Sequence, residues 1–151
     1  MDHLWQTCEF SGLDILQLYA ALRLRQEVFA VEQNCAYLDL DNLDQGAVHM
    51  LCWHRDELVA YQRCLAPGTA WPESALGRIV VRAQSRGRQL GRELVERGIR
   101  HNLGRWPEQD IRINAQAYLR EFYADLGFSA DGDVFGEDGI AHIQMVYARS
   151  A

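Results

Sequence analysis

Apolar positions change period several times along this chain, and the changes mark its elements. Leu4 to Phe10 reads as a short strand, with Ser11-Gly12 as punctuation. From Leu13 to about Val31, Leu16, Tyr19, Ala20, Leu24 and Val28 fall near a 3.6-residue spacing, which predicts a helix. Asn34 to Gln45 is a polar, acidic connection. Three short, partly β-branched apolar runs follow, roughly Ala47 to His54, Leu58 to Leu65 and Leu76 to Arg82, bounded by Arg55-Asp56-Glu57 and Pro67-Gly68. Together they predict an antiparallel meander.

The pattern then turns helical again, with Leu90, Leu94, Val95, Ile99 and Leu103 on one face and Gly104 and Pro107 at the end. Ile111 to Ala115 is a strand, and Gln116 to Leu126 a second helix stopped by Gly127. Two last strands, near Val134 and from Ile140 to Tyr147, face each other across Glu137-Asp138-Gly139, where Asp-Gly suits a hairpin turn. Strand, helix, strand in that order requires a crossover and at least one parallel pair. The expected architecture is α+β, a mixed sheet that is antiparallel first and carries a βαβ unit in its second half, built as one domain over residues 1–151.

Composition narrows the function classes. Hydrophobic residues at 48% and charged residues at 24% of 151 fit a globular domain with a substantial core, which excludes disorder. No apolar run approaches the roughly eighteen residues a membrane-spanning helix needs, and the first residues form no basic, apolar leader, so a cytoplasmic protein is expected. Cys8, Cys35, Cys52 and Cys64 lack C-x-x-C spacing and nearby paired histidines, which predicts buried reduced thiols and neither a zinc site nor a redox motif. The Asp39-x-Asp41-Asn42-x-Asp44 run has Leu43 at a ligand position of a calcium loop, so it reads as a solvated acidic loop and no metal is expected.

Charge is distributed unevenly. Arg78 to Arg105 holds eight arginines against two glutamates, a net +6, while the rest of the chain carries seven arginines against nineteen acids. All fifteen basic residues are arginine, a planar fork suited to oxyanions. At the centre of the basic segment lies Arg86-Gly87-Arg88-Gln89-Leu90-Gly91-Arg92, between the apolar Ile79-Val80-Val81 run and the helix that opens at Leu90. A glycine- and arginine-rich turn between strand and helix aims backbone N–H groups, the helix dipole and fixed positive charge at one point, a phosphate cradle. No Gly-Lys-Ser/Thr or G-x-G-x-x-G is present, and the turn comes late in the chain, which disfavours nucleoside triphosphates and hydride carriers. The net charge of −6 disfavours nucleic acid. A small anionic ligand fits best.

The order of elements, the Ile79-x-Val81 strand leading into Arg86-Gly87-Arg88-Gln89-Leu90-Gly91, and Phe122-Tyr123-x-x-x-Gly127-Phe128 resemble the GNAT superfamily of N-acetyltransferases. Arg23 to Cys35 and Glu137 to Ile143 are similar to its small bacterial ElaA branch, so the likeness covers nearly the whole chain. The resemblance implies a mostly antiparallel sheet of six or seven strands, a central parallel pair and helices on both faces. It implies acetyl-CoA as cosubstrate, with its pyrophosphate on the amides of Arg86, Gly87, Arg88, Gln89, Leu90, Gly91 and Arg92 and its pantetheine arm along Ile79, Val80 and Val81. Gln116 stands where many relatives carry an asparagine that contacts CoA. Gln89 replaces the first glycine of the family turn; a right-handed backbone there would still present its N–H. Tyr123 matches the tyrosine that protonates the leaving thiolate in many members.

An acceptor amine must lose a proton to attack. Glu32, His49 and His142 are the residues that could take it, each with a structural role as the alternative. Asp39 to Asp44 and Asp131 to Asp138 would favour a cationic amine or polyamine. The expected reaction is direct acetyl transfer to a primary amine in a ternary complex, because the cysteines offer no nucleophile, base and orienter set. Two alternatives remain open: a noncatalytic acyl-CoA-binding regulatory module, and an acyltransferase for longer acyl-CoA. No nucleic-acid or membrane partner is expected, and a homodimer is left open.

Overall fold

A computed structural model describes residues 2–150 apart from Arg88 and Asp138. Its elements, in chain order, are β1 (Leu4–Glu9), α1 (Ile15–Gln26), β2 (Val48–His54), β3 (Glu57–Leu65), β4 (Ser74–Val81), α2 (Leu90–Arg105), β5 (Ile111–Gln116), α3 (Arg120–Asp125), β6 (Ser129–Ala130), β7 (Phe135–Glu137) and β8 (Ile140–Tyr147). They build one sheet in the order β1-β2-β3-β4-β5-β8-β6, with β7 also paired to β8. Every pairing is antiparallel except β4 with β5. The sheet has eight strands rather than six or seven, because the two-residue β6 is too short to show a period.

Helix α1 starts where Asp14 caps it. The Gln17 N–H donates to Asp14 Oδ1 at 2.7 Å, and the Asp14 N–H donates to Gln17 Oε1 at 3.0 Å, a reciprocal box that satisfies two otherwise orphaned donors. The helix continues as a wider π turn over Glu27–Glu32, which the periodicity does not reveal. The second half of the chain also differs from expectation after Gln116. That residue ends β5, and a 3-10 turn over Ala117–Leu119 precedes a shorter α3.

Alternation along the central strands divides the core into two layers. Ala21, Leu24 and Val28 pack on Leu51, Leu58, Tyr61 and Val80 on one face. Leu90 and Leu94 pack on Met50, Cys52, Val59 and Ala60 on the other. Burying each such leucine contributes about 1.5–3 kcal/mol. On the α2 side, Val95 and Ile99 join Ile111, Ile113, Ile143, Met145 and Phe128 in the largest cluster. Close approach of α2 to β3 requires Gly98, since a Cβ there would lie 2.5 Å from the Gln62 amide.

Two irregularities in β4 position the site. Strands β4 and β5 pair only at Ser74 with Ile111 and Ala75 with Arg112. Buried Asn102 of α2 pins this point, its Nδ2 donating to Ser74 Oγ at 3.2 Å and to the Ala75 carbonyl at 3.0 Å. The rest of β4 bonds to β3 alone, while β5 is paired with β8 throughout. The second irregularity is a bulge: Tyr61 faces Val80 and Arg63 faces Gly77, so Arg78 and Ile79 stand opposite Gln62 alone. Arg78 is left-handed there, with φ 51°.

Candidate active site

The gap between β4 and β5 opens into a cavity of about 850 Å³. Its walls include Gly77 to Val81 from β4, Ile113, Asn114 and Gln116 from β5, the π turn of α1, and the turn before α2. Of the residues singled out in the sequence, Glu32, Ile79, Val80, Val81, Arg86, Gly87, Gln89, Leu90, Gly91, Arg92, Gln116 and His142 all line it. Arg88 lies outside the described residues.

The turn is built from one 3-10 turn over Ala83–Ser85, then Gly87 at φ 80° and Gln89 at φ 62°. Gln89 is therefore left-handed, contrary to the right-handed backbone expected of a non-glycine residue. It holds the conformation a glycine would adopt freely, at a cost of roughly 1–2 kcal/mol. Its side chain makes no capping bond, so the first N–H groups of α2 have no side-chain acceptor from their cap. A Cβ on Gly91 would sit 3.6 Å from Val81 Cγ2 and 3.8 Å from Phe122 Cζ, so a longer side chain must project along the cavity wall. These features fit a pyrophosphate on the turn.

The last residue of the π turn and the residue after it reach across the cavity. Glu32 accepts two bonds from Arg86, the Nη2–Oε1 contact measuring 2.9 Å, and Arg86 Nε also donates to the Val81 carbonyl at 3.0 Å. The neighbouring Gln33 exchanges amide hydrogen bonds of 3.1 Å with Gln116. One contact reaches the β4 side and the other the β5 side. Glu32 is thus an ion-pair partner of the turn rather than a free base, and the Arg86 pKa is raised chiefly by that carboxylate.

His49 and His142 separate cleanly. His49 is 1% exposed and away from the cavity; its Nδ1 meets the Tyr61 hydroxyl at 2.6 Å and its Nε2 the Asp44 carbonyl at 2.8 Å. Both ring nitrogens are occupied, and burial pushes its pKa down, so it is a structural residue and not a base. His142 is half-buried on the cavity wall, and its Nδ1 lies 2.8 Å from the Ile140 carbonyl. That acceptor fixes the proton on Nδ1, which leaves the Nε2 lone pair available in the neutral ring.

Tyr123 requires a correction. It is 5% exposed within the largest apolar cluster, edge-on to Phe122 and Phe128 at 5.1 and 5.8 Å, and it does not line the cavity. Adjacent helical residues point about 100° apart, and here Phe122 takes the cavity side. Burial, reinforced by Tyr118, raises the Tyr123 pKa and keeps the phenol neutral. The motif's glycine has a separate reason: Gly127 has φ 109°, and a Cβ there would come within 2.8 Å of the Tyr147 ring.

Three cavity side chains carry no role readable from the sequence. Tyr118 lines the wall with its side chain exposed, and Asn114 and Glu137 stand on the β5 and β7 side. Asn114 Nδ2 donates to Glu137 Oε2 at 2.6 Å, while its Oδ1 is buried without a partner. Register places Asn114, Gln116 and His142 on one sheet face, since Gln116 pairs directly with His142. No local pattern marks these residues, because they meet only across strands.

The acidic loop also differs from expectation. Asp39, Asp41 and Asp44 are not solvated; they pair with Arg25, Arg63 and Arg78. With its carboxylates already paired, this loop offers no unpaired charge to draw a cationic acceptor. Among the described residues no three His, Cys, Asp or Glu side chains group as metal ligands, and no helix is long and apolar enough to cross a membrane. Cys35, Cys52 and Cys64 are buried cysteines outside any disulfide, but Cys8 is partly exposed. Burial pushes the Cys52 and Cys64 thiols up to about 12, so they remain protonated at neutral pH.

Comparison with known proteins agrees with this geometry. Residues 19–149 match the acetyltransferase (GNAT) domain. The chain is 41% identical over 143 residues to the protein ElaA of Escherichia coli, covering 93% of this chain and 94% of that protein. The ElaA crystal structure superposes with a TM-score of 0.92 at 38% identity, over 97% of this chain and all of that one. An acyl-CoA N-acyltransferase from Pseudomonas aeruginosa superposes at 0.91 and 36% identity, over 96% and 99% of the two chains. With its split β4–β5 pair, its arginine-rich turn and these relatives, the chain belongs to the GNAT acetyltransferase family and is an acyltransferase.

Proposed function

We propose that this chain transfers an acetyl group from acetyl-CoA directly to a primary amine. The observation that carries the reading is the separation of β4 from β5 beyond Ala75 and Arg112, with a continuous cavity running from that gap to the turn before α2. An extended pantetheine arm can lie along the unpaired edge of Ile79 to Val81 like an added strand, with the pyrophosphate on the amides of Gly87, Gln89, Leu90 and Gly91. A CoA complex of an aminoglycoside 6'-N-acetyltransferase has the same fold, at a TM-score of 0.70 and 18% identity.

The residues divide the proton traffic. His142 Nε2 takes the proton that the attacking amine loses. A Glu137 oxygen, its carboxylate held by the Asn114 amide, accepts a remaining N–H of the amine, so this side of the cavity offers an acceptor to a donor-rich ligand. Tyr118, the phenol on the cavity wall, supplies the proton to the leaving thiolate, with Tyr123 behind it as neutral packing. The protonated cysteine thiols Cys52 and Cys64 favour direct attack over an acyl-enzyme.

A second reading, transfer of a longer acyl chain, draws on the apolar end of the cavity at Leu43, Leu65, Ala70 and Trp71. Free-thiol release across amines, amino acids, polyamines and peptides tests the reaction, and competition between acetyl-CoA and long-chain acyl-CoA separates the two readings. Tyr118→Phe should lower kcat by at least tenfold and more than Tyr123→Phe. The opposite order would return the donor role to Tyr123, and CoA binding without turnover of any amine would leave only a regulatory acyl-CoA module.

A further inference from the structure

Six side chains from four parts of the chain close an alternating ring beside the cavity. Arg25 of α1 contacts Asp39 and Asp44, each at 2.9 Å. Arg63 of β3 contacts Asp44 at 3.0 Å and donates to Asp41 Oδ1 at 2.7 Å. Arg78 of the β4 bulge completes the circuit, with Nη2 3.2 Å from Asp41 Oδ2 and Nε 2.8 Å from Asp39 Oδ1. The last contact is ionic without hydrogen-bond alignment, and Arg78 Nη2 donates instead to the Asp39 carbonyl at 2.8 Å. Three cations alternate with three anions, so the ring is neutral as a whole.

Its burial is the puzzle. Arg25 and Arg63 side chains are 1% and 4% exposed, and desolvated ion pairs are a poor way to gain stability compared with apolar packing. Burial works to raise the Asp41 and Asp44 pKa values, yet the guanidinium groups hold both below the usual carboxylate range. What the ring does that apolar residues would not is grip Arg78 from two directions. Arg78 is a non-glycine residue at φ 51°, a conformation that persists only where its surroundings over-determine it. Its side chain runs to the ring, and its backbone forms the bulge on the cavity wall, between the paired apex at Ala75 and the turn beyond Val81.

We propose that the ring positions the bulge, with Arg78 as a positioning residue that fixes the backbone at Arg78–Ile79 against the thioester carbonyl. The inference rests on the acyl-transfer reading above. During attack, the C–S bond weakens as the C–N bond forms, and negative charge collects on the carbonyl oxygen before it passes to sulfur. Backbone donors stabilise that charge only if they are aimed before the reaction starts. A bulge released from the ladder supplies unladdered backbone groups, and the ring prevents them from relaxing.

Arg78→Gly tests this, because glycine keeps the left-handed backbone without strain while removing the tether. The expected result is a fall in kcat of at least tenfold with acetyl-CoA KM and CoA Kd within twofold of wild type, and an intermediate kcat for Arg78→Lys. The infrared frequency of the bound [13C]acetyl-CoA carbonyl should move from its wild-type position toward the free-solution value in Arg78→Gly. If that variant does not fold, Arg78→Asn, which also tolerates the left-handed region, serves in its place. A kcat within twofold of wild type, or a carbonyl frequency unchanged by the substitution, would overturn the proposal. Absence of turnover in wild type with every amine would sink the function reading, while the carbonyl frequency still decides the ring's role.

Discussion

Arginine builds two opposite environments within this chain, one at the bulge of β4 and one at the turn that follows the strand. In the ring, Arg25, Arg63 and Arg78 each face two aspartates, and the first two are buried while Arg78 is 22% exposed. In the turn, Arg86 meets the Glu32 carboxylate and Arg92 meets Glu96 at 3.3 Å, with both side chains more than 40% exposed. A charge satisfied on every side holds geometry; a charge with an open side or an exchangeable partner can receive an anion. The same residue type thus marks scaffold or ligand site according to how many of its donors are already taken.

That contrast is best broken at Arg63. Arg63→Met should cost about 3–5 kcal/mol, since it takes from Asp41 and Asp44 one of the two arginines that each contacts and leaves the buried ring one negative charge in excess; urea unfolding measures it. The two carboxylates have depressed folded-state pKa values, so their stabilisation is present above the unfolded value of about 4 and fades as pH falls toward the folded ones. Wild type should therefore lose stability steeply below about pH 4, and the variant should show a shallower acid limb. Equal limbs would mean the ring contributes no linkage.

Smaller effects sharpen the site side. His142→Gln keeps a polar side chain of similar size but no proton acceptor, and kcat should drop about 100-fold, in the range of general-base catalysis; a rate within threefold would move the base elsewhere. Gly91→Glu places a carboxylate along the cavity wall by the turn and should weaken CoA binding by about tenfold, or 1.4 kcal/mol, in a calorimetric titration. Glu32→Gln is the mildest. The pair it breaks is solvent-exposed, so stability should change by less than about 1 kcal/mol, while the freed Arg86 should bind CoA more tightly at low salt. Weaker binding would show that the Glu32–Arg86 pair serves as a clasp rather than a competitor.

How much was legible in the chain follows the range of the interactions. Elements held by local periodicity, such as the α2 stripe of Leu90, Leu94, Val95 and Ile99, appear where expected. The turn was legible too, because glycines and arginines sit side by side there. The ring was not, since its contacts join residues 14 to 39 positions apart, and an aspartate-rich loop looks solvated until its arginines arrive from α1, β3 and β4. His49 and His142 are alike as strand histidines, and only the Tyr61 hydroxyl and the Asp44 carbonyl mark His49 as structural. Phe122 and Tyr123 are neighbours on one helix, and which of them faces the cavity depends on how α3 rolls against β5 and β8.

If the split between β4 and β5, closed at one end by the arginine turn, is the acyl-CoA site, CoA must shield both at once. Amide hydrogen exchange with and without saturating CoA tests it most directly. Exchange should slow at Ile79 to Val81 and at Gly87 and Gln89 to Arg92, with β1 and β2 unchanged. Protection confined to other strands, or none at the turn while CoA is bound, would contradict it.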